Sequence, residues 1–103
     1  MKPVADRAEI GIDFPEKAYM GAFGHESGFE VRADGEEMLV KLLRPGEQRR
    51  EVAIHLHYYL LADILGEMAR AVGERPALDT SHRTALRHGA QALAKALGGR
   101  PKG

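Results

Sequence analysis

Residues 29–44 read FEVRADGEEMLVKLLR, and their pattern predicts a β-hairpin at the centre of an antiparallel sheet. Asp34-Gly35 is a strong signal for a two-residue β-hairpin turn of type I′, which requires a positive φ at both central positions. With Asp34 and Gly35 at the tip, the register gives the hairpin one apolar and one charged face, as a half-buried antiparallel pair requires. The opposed pairs are Val31 with Met38 and Phe29 with Val40 on the apolar face, and Arg32 with Glu37 on the charged face.

Further strands are predicted on both sides of this hairpin. Residues 9–14 and 52–57 alternate polar and apolar side chains with the period of two that is typical of a strand. Residues 44–47 read Arg-Pro-Gly-Glu and predict a type II turn with a positive φ at Gly46. Residues 16–27 fit either a helical turn or a further strand. The sequence therefore predicts an antiparallel sheet of three or four strands.

Two amphipathic helices follow the predicted sheet. Beyond His57 the apolar residues recur at the 3.6-residue period of a helix, which ends near Gly73 and Pro76. A second helix begins near Asp79, a favoured N-cap residue, and ends at Gly98-Gly99. The apolar faces are formed by Leu61, Ile64, Leu65, Met68 and Val72 in the first helix and by Leu86, Ala90, Leu93 and Leu97 in the second.

These elements define an α+β fold. We predict an antiparallel β-meander of three to four strands, followed by two C-terminal amphipathic helices that pack on one face of it. The 103 residues are the size of one domain, so we predict a single domain over residues 1–103 with a disordered basic tail at about 99–103. A domain this small removes only about two-thirds of its unfolded surface from water, which leaves a thin stability margin.

Composition excludes several classes of protein. The chain has no cysteine, which excludes disulfides, thiolate zinc sites and cysteine nucleophiles and fits a reducing compartment. Residues 1–14 contain three acids and no apolar run, and no uncharged stretch is long enough to span a membrane, so we expect a cytoplasmic protein. Neither a dinucleotide nor a phosphate-loop motif occurs, and no serine has the context of a nucleophile. We therefore expect no cofactor and favour a non-enzymatic protein.

Charge is unevenly distributed along the chain, although the net charge is zero. Residues 79–103 carry one acid and five bases, a net charge of +4. On the second helix Arg83, Arg87, Gln91 and Lys95 form a continuous stripe at i, i+4 spacing. Arg and Lys contact phosphates and Gln can reach a base edge, so this stripe is a candidate nucleic-acid contact. The zero net charge argues against it, because autonomous nucleic-acid-binding proteins usually carry an excess of bases.

Two sets of residues predict self-association. The first consists of two leucines that fall on the charged face of the sheet. The second is a strip of small side chains on the second helix, where another backbone can come close. That backbone belongs either to the first helix of the same chain or to a second copy. The candidate interface residues are Leu39 and Leu43 in the sheet and Ala85, Gly89, Ala92 and Ala96 in the helix.

His55 and His57 form the only close histidine pair in the sequence. In a strand their imidazoles point to the same face, at a spacing that suits two ligands of one metal ion. Two ligands do not complete a site, and the sequence fixes no third, so exposed strand histidines are the simpler interpretation. A metal-dependent enzyme or metal-binding protein centred on this pair is the third functional hypothesis.

The sequence therefore favours a small accessory or interaction protein that acts by binding protein. Its expected partner is a second copy of itself, in a homodimer, or another protein. No binding to a membrane is expected. Nucleic-acid binding by the second helix is the alternative.

Overall fold

The computed structural model describes residues 1–74 and 78–99. Six strands precede two helices, so the protein belongs to the α+β class, as predicted. The predicted tail at 99–103 lies outside the described residues beyond Gly99. The elements are β1 (Lys2–Pro3), β2 (Ala8–Asp13), β3 (Ala18–Phe23), β4 (Gly28–Ala33), β5 (Glu37–Arg44), β6 (Arg50–His57), α1 (Tyr58–Glu74) and α2 (Thr80–Leu97).

The strands form two antiparallel sheets. The main sheet has the order β1-β4-β5-β6, and β2 and β3 form a separate two-stranded sheet. The predicted meander is therefore β4-β5-β6, with the short strand β1 added beside β4. The chain divides into two compact units, Met1–Gly66 and Glu67–Gly103, and its organisation as a single domain stays a prediction.

The β4–β5 hairpin forms with a register that differs from the predicted one. Val31 lies opposite Val40 and Arg32 opposite Leu39, so each β4 residue pairs two positions further along β5 than expected. Because the shift is an even number of residues, every side chain keeps its predicted face. The division into an apolar and a charged face is confirmed, whereas the individual pairs, including Arg32 with Glu37, were wrong.

The turn of this hairpin is centred on Gly35-Glu36 rather than on Asp34-Gly35. Asp34 is a paired residue, since its amide donates to the carbonyl of Glu37 at 3.1 Å. Its carboxylate accepts hydrogen bonds from the amides of Glu36 at 2.7 Å and of Glu37 at 2.9 Å. These two hydrogen bonds stabilise the turn. Neither Asp34 nor Gly35 has the positive φ that a type I′ turn requires. The type I′ prediction was therefore wrong.

The predicted positive φ at Gly46 is confirmed. Its φ is 114°, and Gly46 is the only residue with a positive φ in the described chain. A side chain at this backbone conformation is strained, which explains why glycine links β5 to β6.

The ambiguous segment 16–27 contains strand β3, which pairs with β2 from Ala8 opposite Phe23 to Asp13 opposite Ala18. Phe23 is almost fully buried, with 1% of its surface exposed. The guanidinium of Arg50 in β6 donates to the carbonyl of Met20 at 2.7 Å and so joins this hairpin to the main sheet. Val4 is the other buried hydrophobic residue among those described, so the core of this unit is small.

Both helices begin where the sequence places them. The carboxylate of Asp79 accepts a hydrogen bond from the amide of His82 at 2.8 Å, which confirms Asp79 as the N-cap of α2. The amide of Gly98 donates to the carbonyl of Ala94 at 2.9 Å and closes the last turn. α1 ends at Glu74, and Pro76 lies outside the described residues. The packing of the helices on one face of the sheet stays a prediction.

Candidate functional site

The strand register divides the side chains of the main sheet between two faces, which we call the apolar face and the polar face. None of the residues on either face is buried. The apolar face consists of Phe29, Val31, Ala33, Met38, Val40, Leu42, Val52, Ile54 and Leu56. The polar face consists of Glu30, Arg32, Glu37, Leu39, Lys41, Leu43, Glu51, Ala53, His55 and His57.

The apolar face is partly uncovered. Val31 exposes 52% of its surface and Ile54 exposes 40%, whereas Val40, which lies between them, and the nearby Leu42 are half-buried. At one end the β2–β3 hairpin approaches the face, and an apolar cleft of about 280 Å³ lies between Phe23 and Val52. The middle row of the face presents the exposed branched aliphatic side chains of Val31 and Ile54, a kind that normally lies inside a protein.

The polar face carries a cluster at the tip of the β4–β5 hairpin. The Nδ1 atom of His55 lies 2.5 Å from Oε2 of Glu37. The hydroxyl of Tyr58 points at the carbonyl oxygens of Asp34 and Glu37, the latter at 2.9 Å. An open cleft of about 340 Å³ lies beside these groups and is lined by Arg32, Ala33, Asp34, Glu37, Leu39 and His55.

The structure places His55 and His57 on the same face, as the strand spacing predicts. One ring nitrogen of His55 is engaged by Glu37, and His57 lies opposite Glu37 in the register. Among residues 1–74 and 78–99, no group of three or more histidine, aspartate or glutamate side chains is arranged to hold a metal ion. Among the described residues, the proposed metal site at His55 and His57 therefore has no third ligand.

The candidate interface leucines both lie on this charged surface. Leu39 is half-buried opposite His55 and Arg32, and Leu43 is half-buried opposite Glu51. The ammonium of Lys41 lies 3.1 Å from Glu51, and its hydrogen bond is the main cause that lowers the pKa of that carboxyl group. The two leucines are thus apolar side chains on a surface that otherwise consists mostly of paired charged residues.

The candidate residues of α2 lie on its exposed surface. The stripe of Arg83, Arg87, Gln91 and Lys95 is exposed along its whole length. In the described ranges, none of its three bases forms a salt bridge. The small residues Ala85, Gly89, Ala92 and Ala96 are also exposed, and no atom lies within 4 Å of the position that a Cβ atom of Gly89 would occupy.

Sequence reasoning missed two members of the hairpin cluster. It gave no contact for Tyr58, whose hydroxyl reaches back to a turn 24 residues earlier. It opposed Glu37 to Arg32, whereas Glu37 contacts His55. The alternation of residues 52–57 already places His55 on the charged face, where Glu37 also lies. This shared face is the feature of the sequence from which the Glu37–His55 contact could have been predicted.

Comparison with protein families, curated proteins and solved structures gives no match. In the part of the chain that the structure describes, neither helix is long and apolar enough to cross a membrane.

Proposed function

We propose that this protein is a non-enzymatic interaction protein that acts by binding protein, as a subunit of a homo-oligomer. The observation that carries the proposal is the exposure of apolar side chains. Within the described residues only Val4 and Phe23 are buried hydrophobic residues, while Val31, Ile54 and Met68 each expose 40% or more of their surface. The smallness of this buried set is unusual for a chain with 44% hydrophobic residues.

The energetics favour a partner for these surfaces. Burying one large aliphatic side chain is worth about 1.5–3 kcal/mol, and a domain of this size has a thin stability margin. Both helices add to the exposed set, since neither α1 nor α2 contains a buried residue. Oligomerisation is a common way for a small domain to obtain the burial that it lacks on its own.

A second copy of the chain is the partner we favour. In a two-fold dimer each surface is used twice, so a modest patch doubles its contribution. The absence of cysteine from the chain fits the cytoplasmic location that forms part of the proposal. The contact residues proposed from the sequence are Leu39 and Leu43 on the polar face and Ala85, Gly89, Ala92 and Ala96 on α2.

Light scattering coupled to size exclusion, over a dilution series, tests this proposal. We expect a mass above the 11.3 kDa of the monomer at high concentration, falling on dilution, with circular dichroism as the folding control. Leu39→Glu tests the polar face and Ala92→Arg tests the α2 seam, and loss of association in one variant assigns the contact to that surface. A wild-type chain that stays monomeric at every concentration overturns the proposal.

Nucleic-acid binding through α2 is the second candidate function. It is supported by the exposed bases Arg83, Arg87 and Lys95, which form no salt bridge with another described residue. Exposed bases at this spacing suit a row of phosphates. The salt dependence of duplex DNA binding tests this alternative.

A further inference from the structure

The two edges of the main sheet are built differently. Strand β1 at one edge has only two residues and ends in Pro3, which has no amide to donate. Strand β6 at the other edge has eight residues, and its register with β5 runs from Glu37 opposite His57 to Arg44 opposite Arg50 without a bulge. Short strands, prolines, lysines and bulges are the devices that protect a sheet edge from pairing. The β1 edge has three of these devices, its shortness, Lys2 and Pro3, whereas β6 has none of the four.

The central part of β6 is also suited to accept another strand. Residues 52–57 read VAIHLH and contain no lysine, proline or acid. On its outer side, β6 pairs with no other strand of the described chain. Alternate backbone N–H and C=O groups of such an edge strand point away from the sheet and are free to pair. Edge pairing of this kind takes its affinity from main-chain hydrogen bonds and its specificity from the alternating side chains.

We propose that β6 pairs antiparallel with β6 of a second copy, across a two-fold axis at Ile54. The two main sheets then become one continuous eight-stranded sheet. This inference rests on the proposed self-association and assigns the contact to the β6 edge, in place of the polar-face leucines and the small-residue strip of α2.

The sequence of β6 is complementary to itself in this register. With Ile54 facing its own copy, Val52 faces Leu56, so three apolar pairs extend the apolar face across the axis. On the polar face Glu51 faces His57, which joins a hydrogen-bond acceptor to a group that can donate. Each contact between two different residues occurs twice because of the two-fold symmetry.

The neighbouring register with its axis at Ala53 keeps the same faces but is less favourable. An axis at Ala53 places Arg50 opposite Leu56 on the apolar face, although the Arg50 guanidinium already donates to the carbonyl of Met20 at 2.7 Å. It also places Glu51 opposite His55, whose Nδ1 atom is engaged by Glu37 within the chain. The register at Ile54 leaves both of these contacts undisturbed.

Cysteine crosslinking tests the register directly, because the natural chain contains no cysteine. Opposed residues of antiparallel strands have Cα atoms about 4.5–5.5 Å apart, within the range that a disulfide spans. We expect Ile54→Cys to form a covalent dimer under mild oxidation.

The matched control is Val52→Cys in the same strand. The two copies of residue 52 lie four residues apart along the strand, about 13 Å, so this variant alone should not crosslink. A mixture of Val52→Cys and Leu56→Cys should crosslink between the two variants. A chain that dimerises by light scattering, but whose Ile54→Cys variant crosslinks no faster than Val52→Cys, overturns β6 pairing and leaves the proposed self-association standing.

Hydrogen exchange on the wild-type chain is independent of these substitutions. Pairing at the β6 edge protects the outward-pointing amides of residues 50–57 when the concentration is raised through the dissociation range. Amides of the separate β2–β3 sheet, which no proposed contact surface includes, serve as the internal reference. Concentration-independent exchange throughout β6 in a chain that dimerises also overturns the inference, whereas a wild-type chain that never dimerises overturns the proposed function itself.

Discussion

The hydroxyl of Tyr58 donates a hydrogen bond to the carbonyl oxygen of Glu37 at 2.9 Å and also points at the carbonyl of Asp34. The first residue of α1 is thereby fixed to the turn between β4 and β5. The neighbouring Tyr59 is 94% exposed and has no hydrogen bond to another described residue. Two adjacent tyrosines therefore differ in whether their hydroxyl groups contribute to stability.

We predict that Tyr58→Phe lowers the free energy of unfolding by about 0.5–1.5 kcal/mol, the usual net value of one hydrogen bond. The ring and its contacts are kept, so the loss reports the hydroxyl alone. Urea denaturation followed by circular dichroism measures it. Tyr59→Phe is the matched control and should change stability by less than about 0.5 kcal/mol, as surface substitutions usually do. Equal effects of the two substitutions would contradict this role of Tyr58.

The Asp34 carboxylate should contribute a pH-dependent part of the stability. Hydrogen bonds from the amides of Glu36 and then Glu37 lower the pKa of Asp34 in the folded protein. A lowered folded pKa means that the contribution is fully present above the unfolded pKa of about 3.9 and is lost as the pH falls through the lower folded value. Asp34→Asn keeps the acceptor oxygen but removes the charge.

Melting temperatures between about pH 2 and pH 7 check this effect, since that window spans the unfolded pKa of about 3.9. The wild-type chain should lose more stability on acidification than Asp34→Asn. Asp34→Ala removes the acceptor as well and should be less stable at pH 7. Parallel pH profiles for the wild type and Asp34→Asn would show that this carboxylate is not held as described.

The two turn glycines should respond differently to substitution. Gly46 has a φ of 114°, where a side chain costs about 1–3 kcal/mol, so Gly46→Ala should destabilise by that amount. Gly35 does not have a positive φ, and no atom lies within 4 Å of its absent Cβ position. Gly35→Ala should therefore change stability by less than about 0.5 kcal/mol. Denaturant titration of both variants measures the two changes in unfolding free energy. A larger loss of stability in Gly35→Ala would support a type I′ turn at Asp34-Gly35 instead.

Local patterns predicted most of the secondary structure. The N-cap at Asp79 depends on residues within one turn, and the alternation in β6 depends only on its own side chains. The division of the β4–β5 hairpin into faces survived an error in register because the shift was even. What failed was the choice of turn, where the carboxylate of Asp34 captures two amides and moves the tip by one residue.

Long-range contacts could not be predicted from the same patterns. Residues 16–27 contain glycines and aromatics that fit two structures, and β3 is decided by its pairing with β2 and by the burial of Phe23. The contact of Tyr58 with the β4–β5 turn joins residues 21 and 24 positions apart. The free edge at β6 is a property of strand order, which no single segment encodes.

The alternative function of α2 makes a quantitative prediction about salt. If Arg83, Arg87 and Lys95 each neutralise one phosphate, the logarithm of the binding constant for duplex DNA should fall with the logarithm of salt concentration with a slope of about −2.7. The double variant Arg83→Ala with Arg87→Ala should bring the slope to about −0.9, because one contact remains. Fluorescence anisotropy of a labelled duplex at several salt concentrations measures both slopes. Arg7→Ala with Arg49→Ala removes the same charge from the sheet unit and should leave the slope unchanged. Equal losses in the two double variants would mean that binding follows net charge rather than the α2 stripe, and no binding at low salt would remove this function.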